Sequence, residues 1–104
     1  MKQEFIIYNK PLDKLDIEIL YVLCTNKQFS SLSSFKIKDI INHIESNFAY
    51  YTFVNRIKKL VNSGYIANGF KDGNANTYYL TPSGLKFLED NVFNKEDIYE
   101  DEEE

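Results

Sequence analysis

The sequence predicts a mainly α-helical domain carrying one small β-hairpin, an α+β arrangement in the order helix, helix, helix, hairpin, helix. Three observations predict it. Apolar residues recur at three- and four-residue intervals through 12–23 and again through 53–61, the period of one helix face. Two aromatic-rich runs, 65–70 and 77–81, flank a tip of Lys, Asp, Gly and Asn, the pattern of a hairpin whose turn needs glycine. Thr81-Pro82 then places an N-cap residue before proline at the first helical position, so a new helix follows the second strand.

Each element follows from its own residues. The first helix, about 11–25, opens with Pro11 and the acids Asp13 and Asp16, which suit the positive end of a helix dipole. Its core stripe is Leu12, Leu15, Ile19, Val22 and Leu23. After the FSSLSS loop, a second helix at about 36–45 puts Ile37, Ile40, Ile41 and Ile44 on one face. Ser46 and Asn47 supply capping chemistry for a third helix at about 47–63, which buries Phe53, Ile57, Leu60 and Val61 and stops at Gly64. The hairpin spans 65–81 around Asp72-Gly73. The last helix, about 82–94, turns Leu85, Leu88 and Val92 inward, with Phe87 and Phe93 at its margins. Near the start, Phe5, Ile6 and Ile7 read as a short strand or an arm.

Composition narrows the class. A chain of 104 residues with 43% hydrophobic and 15% aromatic content is one folded domain, expected over 1–95. No apolar run approaches the roughly 20 residues of a membrane span, and MKQEFIIYNK is too short and too charged for a signal peptide. The single cysteine, Cys24, excludes an internal disulfide framework and reads as a buried thiol in a reducing compartment, so the expected location is cytoplasmic. The net charge of −4 is unevenly spread. The tail EDIYEDEEE, 96–104, holds seven of the sixteen acids and is expected to be a disordered solubility tail. Residues 1–95 carry twelve basic against nine acidic side chains, a net of +3, and residues 26–80 carry seven against three. A basic domain with an acidic tail is compatible with a nucleic-acid partner.

Two helices joined by a tight connection and followed by a hairpin form the plan of a winged helix-turn-helix. The second of the two helices then enters the major groove and the hairpin follows the neighbouring backbone. On this plan Tyr51, Thr52, Asn55, Arg56 and Lys59 of the third helix are the base-reading candidates. Asn suits adenine, Arg suits guanine, and base contacts concentrate near the helix N-terminus. Lys36, Lys38, Lys58 and Lys71 are candidate phosphate contacts, with Asn74 and Asn76 on the wing. The tyrosines at 50, 51, 65, 78 and 79 read as core or rim packing, and His43 as a surface residue. No nucleophile–base pair, phosphate-cradling glycine loop or metal-ligand spacing is present, so no enzyme activity, cofactor or metal is expected.

From Phe35 to Leu88 the sequence also resembles the winged-helix regulators of the multiple-antibiotic-resistance-regulator type. The phrases that carry the likeness are FKIKDII, RIKKLVNSGYI, DGNA and LTPSG, in that order, with Leu60, Gly64, Tyr65 and Ile66 at the family's spacing. The resemblance implies a dimeric, sequence-specific regulator of transcription bound to double-stranded DNA. The family's wing arginine is replaced by Asn74, which brings no charge to a narrow minor groove. The first and last helices, richest in apolar residues, are the expected homodimer surface, and nothing indicates a small-molecule effector. Two rival readings remain: a plasmid or phage replication or partition protein, and a winged helix used as a protein-interaction module.

Overall fold

The computed structural model describes residues 12–93. The Phe5–Ile7 segment, Pro11, the end of the last helix at 94 and the acidic tail 96–104 lie outside the described residues. Among those described, four α-helices and a three-stranded antiparallel sheet alternate along the chain. They are α1 (Lys14–Thr25), β1 (Phe35–Lys36), α2 (Ile37–Asn42), α3 (Tyr50–Asn62), β2 (Ile66–Asn68), β3 (Thr77–Leu80) and α4 (Pro82–Leu88), which runs into one π-helical turn, Glu89–Phe93. No helix among them is long and apolar enough to cross a membrane.

Helix α1 starts at a reciprocal capping box. The Asp13 carboxylate accepts from the Asp16 amide and the Asp16 carboxylate accepts from the Asp13 amide, each at 3.1 Å. Its predicted apolar stripe is buried, and Leu20 joins it. Helix α2 is shorter than the isoleucine spacing predicts. Lys36 is extended (ψ 163°) and belongs to a strand, its amide donating 3.1 Å to the Asp39 carboxylate as the helix begins. His43 closes the helix and stacks on Phe35 at 5.2 Å. Helix α3 begins at Tyr50, three residues later than Ser46 and Asn47 suggest, with Ala49 at the N-cap and no side-chain cap, and the Ser46 hydroxyl accepts from the Phe48 amide at 3.4 Å.

The sheet order is β1-β3-β2. Strand β3 therefore lies in the centre, pairing Phe35 with Tyr78 on one side and Ile66 with Leu80 on the other. The hairpin strands were expected; β1 was not, because two residues carry no readable alternation. One core holds the layers together: Leu15, Ile19, Leu20 and Leu23 of α1, Ile40 of α2, Phe53, Ile57 and Leu60 of α3, Ile66 and Leu80 of the sheet, and Leu88 of α4. Cys24 packs against this core, where burial and the nearby Glu89 push its thiol up from the ordinary range.

The joint between α3, the hairpin and α4 is tightly specified. Tyr65 donates to the Leu60 carbonyl at 3.1 Å and Gly64 to the Val61 carbonyl at 3.0 Å, a Schellman ending with Gly64 at φ +86°. The Thr81 hydroxyl donates to the Gly64 carbonyl at 2.6 Å and accepts from the Gly84 amide at 3.1 Å, so one side chain caps α4 and holds the end of α3. Gly84 is buried there, and a Cβ at its position would lie 2.2 Å from the Tyr65 carbonyl oxygen. Gly84→Ala is accordingly expected to lose about 1–3 kcal/mol of stability through overpacking, read as a lower midpoint in urea unfolding. An unchanged midpoint would show that the joint relaxes freely.

Candidate nucleic-acid interface

Helix α3 presents three different faces once Phe53, Ile57 and Leu60 are buried. Its outer ridge is Tyr51, Asn55, Lys58 and Asn62, all exposed and spaced at four, three and four residues. One flank turns toward α1, the other toward the hairpin. Of the sequence candidates, Tyr51, Asn55 and Lys58 stand on the ridge, Thr52 is half-buried, and Arg56 and Lys59 lie on the α1 flank. Asn62 also belongs to the ridge, where its helical phase places it eleven residues after Tyr51, although it is not among the sequence candidates, which favour the helix N-terminus.

The α1 flank is an ion cluster. The Arg56 guanidinium donates to the Asp13 carboxylate at 2.5 Å and to Asp16 at 3.4 Å, and the Lys59 ammonium reaches Asp16 at 2.5 Å. The Asp16 side chain is fully buried, while Arg56 and Lys59 keep 28% and 40% exposure. Partial burial alone would raise the Asp13 carboxyl. The Asp16 amide and the Arg56 guanidinium outweigh it and hold Asp13 below the ordinary carboxylate value.

On the other flank, α3 and the hairpin enclose a groove of about 380 Å³ lined by Lys36, Lys38, Lys58, Tyr50, Asn76 and Tyr78, among others. A second hollow of about 290 Å³ shares Lys58, Asn76 and Tyr78 and extends toward Asn62 and Asn68. Four of the predicted phosphate and wing residues, Lys36, Lys38, Lys58 and Asn76, thus meet in one place, although they come from three separate segments. Lys71 and Asn74 are exposed around the hairpin turn and do not line this groove. Lys36 also pairs with Asp72 at 3.2 Å.

The entrance to α3 is aromatic. Phe48, Tyr50 and Tyr51 are 52%, 52% and 74% exposed, which fits the outward position expected for Tyr51 but not core or rim packing for Tyr50; Tyr65, Tyr78 and Tyr79 are half-buried. Phe48 precedes the helix, and the phase set by buried Phe53, Ile57 and Leu60 turns Tyr51 outward. With no side-chain cap and no acid in the first turn, the positive end of the helix dipole faces outward beside the lysine groove. Lysines supply charge without sequence preference, amides on an exposed ridge supply hydrogen bonds suited to base edges, and aromatic faces supply apolar contact.

No protein-family model matches the chain. The DNA-binding protein TubR of Clostridium botulinum C phage is 31% identical over 77 residues, which span 74% of this chain and 93% of that protein. Among solved structures, TubR from Bacillus megaterium pBM400 shares the fold with a TM-score of 0.69 at 22% identity, covering 84% of this chain and 93% of that one.

The ion cluster carries two expectations. Asp16→Ala removes a buried carboxylate and strands two cations, so about 3 kcal/mol of stability should be lost, the lower end for a buried pair because the cations keep some exposure. Urea unfolding at neutral pH checks it, and a loss below about 1 kcal/mol would reduce the cluster to a surface feature. The second expectation concerns acid. The depressed Asp13 carboxyl contributes stability that is present above its ordinary value of 3.8 and lost as pH falls below it toward the folded value. Asp13→Asn should therefore flatten the acid limb of the stability curve below about pH 4, and a limb as steep as the parent's would place the titration elsewhere.

Proposed function

Because the chain belongs to the family of the DNA-binding protein TubR, we propose that it binds double-stranded DNA as a winged helix-turn-helix protein. Helix α3 lies in the major groove in this reading, and the hairpin serves as the wing along the flanking backbone. The observation that carries the proposal is the convergence of Lys36, Lys38, Lys58 and Asn76 in one groove beside an exposed ridge of Tyr51, Asn55 and Asn62. In this arrangement Asn55 and Asn62 read base edges, Tyr51 makes apolar contact, and the lysines meet phosphates. Arg56 and Lys59 hold α3 against α1 through Asp16 and orient the ridge.

Two roles suit such a protein: regulation of a promoter, and coating of repeated sites in the replication or partition of a phage or plasmid. We favour the second, because the relative at 31% identity belongs to a phage. The likeness to the multiple-antibiotic-resistance-regulator type is then one of architecture. A homodimer fits either role. Its surface is proposed on α1 and the π-helical turn, where Tyr21 is 45% exposed and its ring lies 6.0 Å from Phe93.

Fluorescence anisotropy with a labelled duplex from beside the gene and a scrambled duplex tests the reading, with sedimentation equilibrium giving the mass of the free protein. Salt-dependent binding that prefers the gene-proximal duplex by about a thousandfold or more is expected, from a species of twice the chain mass. Asn55→Ala should cost roughly 1–3 kcal/mol on the preferred duplex and little on the scrambled one. Failure to bind any duplex at low salt would overturn the DNA reading in favour of a protein-interaction module; a monomer at micromolar concentration would remove the dimer.

A further inference from the structure

We infer that Asp72 acts as an internal stand-in for a DNA phosphate, pairing Lys36 in the free protein and giving it up when duplex backbone enters the groove. The inference rests on the DNA-binding reading above and names a residue that weakens binding instead of strengthening it.

Lys36 stands at a divide. It lines the groove beside α3 and also a cavity of about 300 Å³ on the far side, shared with Ser34, Asp39, Lys71 and Asp72. Its ammonium lies 3.2 Å from the Asp72 carboxylate, with the two side chains 38% and 66% exposed. Among the described residues no other carboxylate forms a salt bridge with that ammonium. Asp39, the nearest alternative, accepts instead from the Lys36 amide at the start of α2. Lys71 shares the far cavity with this pair, while Lys38 and Lys58 line the groove, which Asp72 does not.

A carboxylate and a phosphate oxygen offer an ammonium the same acceptor chemistry, so Lys36 can exchange one for the other by turning from the cavity it shares with Asp72 to the groove it also lines. An exposed pair of this kind has little net worth in water and is displaced cheaply. Duplex phosphates carry condensed counterions whose release favours the exchange. Giving up Lys36, however, leaves the Asp72 carboxylate unpaired near the duplex, where it offsets part of the charge that the lysine brings. Asp72 thereby lowers affinity for duplex of any sequence and leaves discrimination to the ridge of α3. The hairpin turn does not need its charge. The Asp72 and Ala75 main chains exchange hydrogen bonds of 3.0 Å in both directions around Gly73, whatever side chain stands at 72.

The test is a cycle of four full-length proteins: the parent, Asp72→Ser, Lys36→Gln and the double variant. Serine suits the first position of a turn and avoids the deamidation that asparagine before Gly73 invites. Anisotropy with the scrambled duplex is read between about 50 and 200 mM salt. Asp72→Ser should bind roughly two- to fivefold more tightly at the lower salt and steepen the logarithmic salt slope by up to about one, with no such change in the Lys36→Gln background. Unaltered affinity and slope in Asp72→Ser would overturn the inference. Equal tightening with Lys36 replaced would also overturn it, because the effect would then be bulk charge. Absence of binding by all four proteins would instead remove the DNA-binding reading and this inference with it.

Discussion

The buried carboxylate of Asp16 is the interaction on which the rest of the arrangement depends. A charge taken out of water is tolerated only where partners replace its hydration. Here those partners are the Asp13 amide, the Arg56 guanidinium and the Lys59 ammonium. They come from the start of α1 and the middle of α3, so satisfying one carboxylate sets the rotation of α3 about its own axis. That rotation decides which residues face outward. With Arg56 and Lys59 drawn to α1 and Phe53, Ile57 and Leu60 in the core, the ridge of Tyr51, Asn55, Lys58 and Asn62 is what remains.

A second constraint places the hairpin. The Schellman turn at Gly64 reverses the chain at the end of α3, and Thr81 ties that turn to the first turn of α4. Strand β3, held between β1 and β2, can then run only past the flank of α3, which creates the groove. Lys36 enters the groove because β1 pairs its backbone with Thr77. Three segments that share no local signal become one basic surface through strand pairing and the packing of α3 beside the sheet.

This geometry also resolves the charge paradox of an acidic chain in a family of DNA-binding proteins. The net charge of −4 counts a tail of seven acids. Within the described domain Lys36, Lys38 and Lys58 line one groove on the hairpin flank of α3, while Asp13 and Asp16 sit on its opposite flank and are spent on Arg56 and Lys59. Local field, not net charge, governs how a polyanion is met.

Much of the fold was legible from the sequence by itself. The three- and four-residue periods of α1 and α3, the glycine after α3, the Asp72-Gly73 turn and the Thr81-Pro82 start are local signals, because helix faces, turns and caps are decided within a few residues of chain. The element order that suggested the interface came from the same source. What only the tertiary structure decided involves residues distant in sequence. Strand β1 is two residues long and exists because β3 offers it a partner. Helix α3 starts at Tyr50, whose ring stands exposed although it was expected to pack, while Tyr51 is exposed as its helical phase requires. Arg56 and Lys59 have the chemistry of base or phosphate contacts, yet they meet carboxylates some forty positions away. Side-chain type and helical phase show what a residue can do. Which partner it meets depends on long-range contacts, and those form only when the chain has folded.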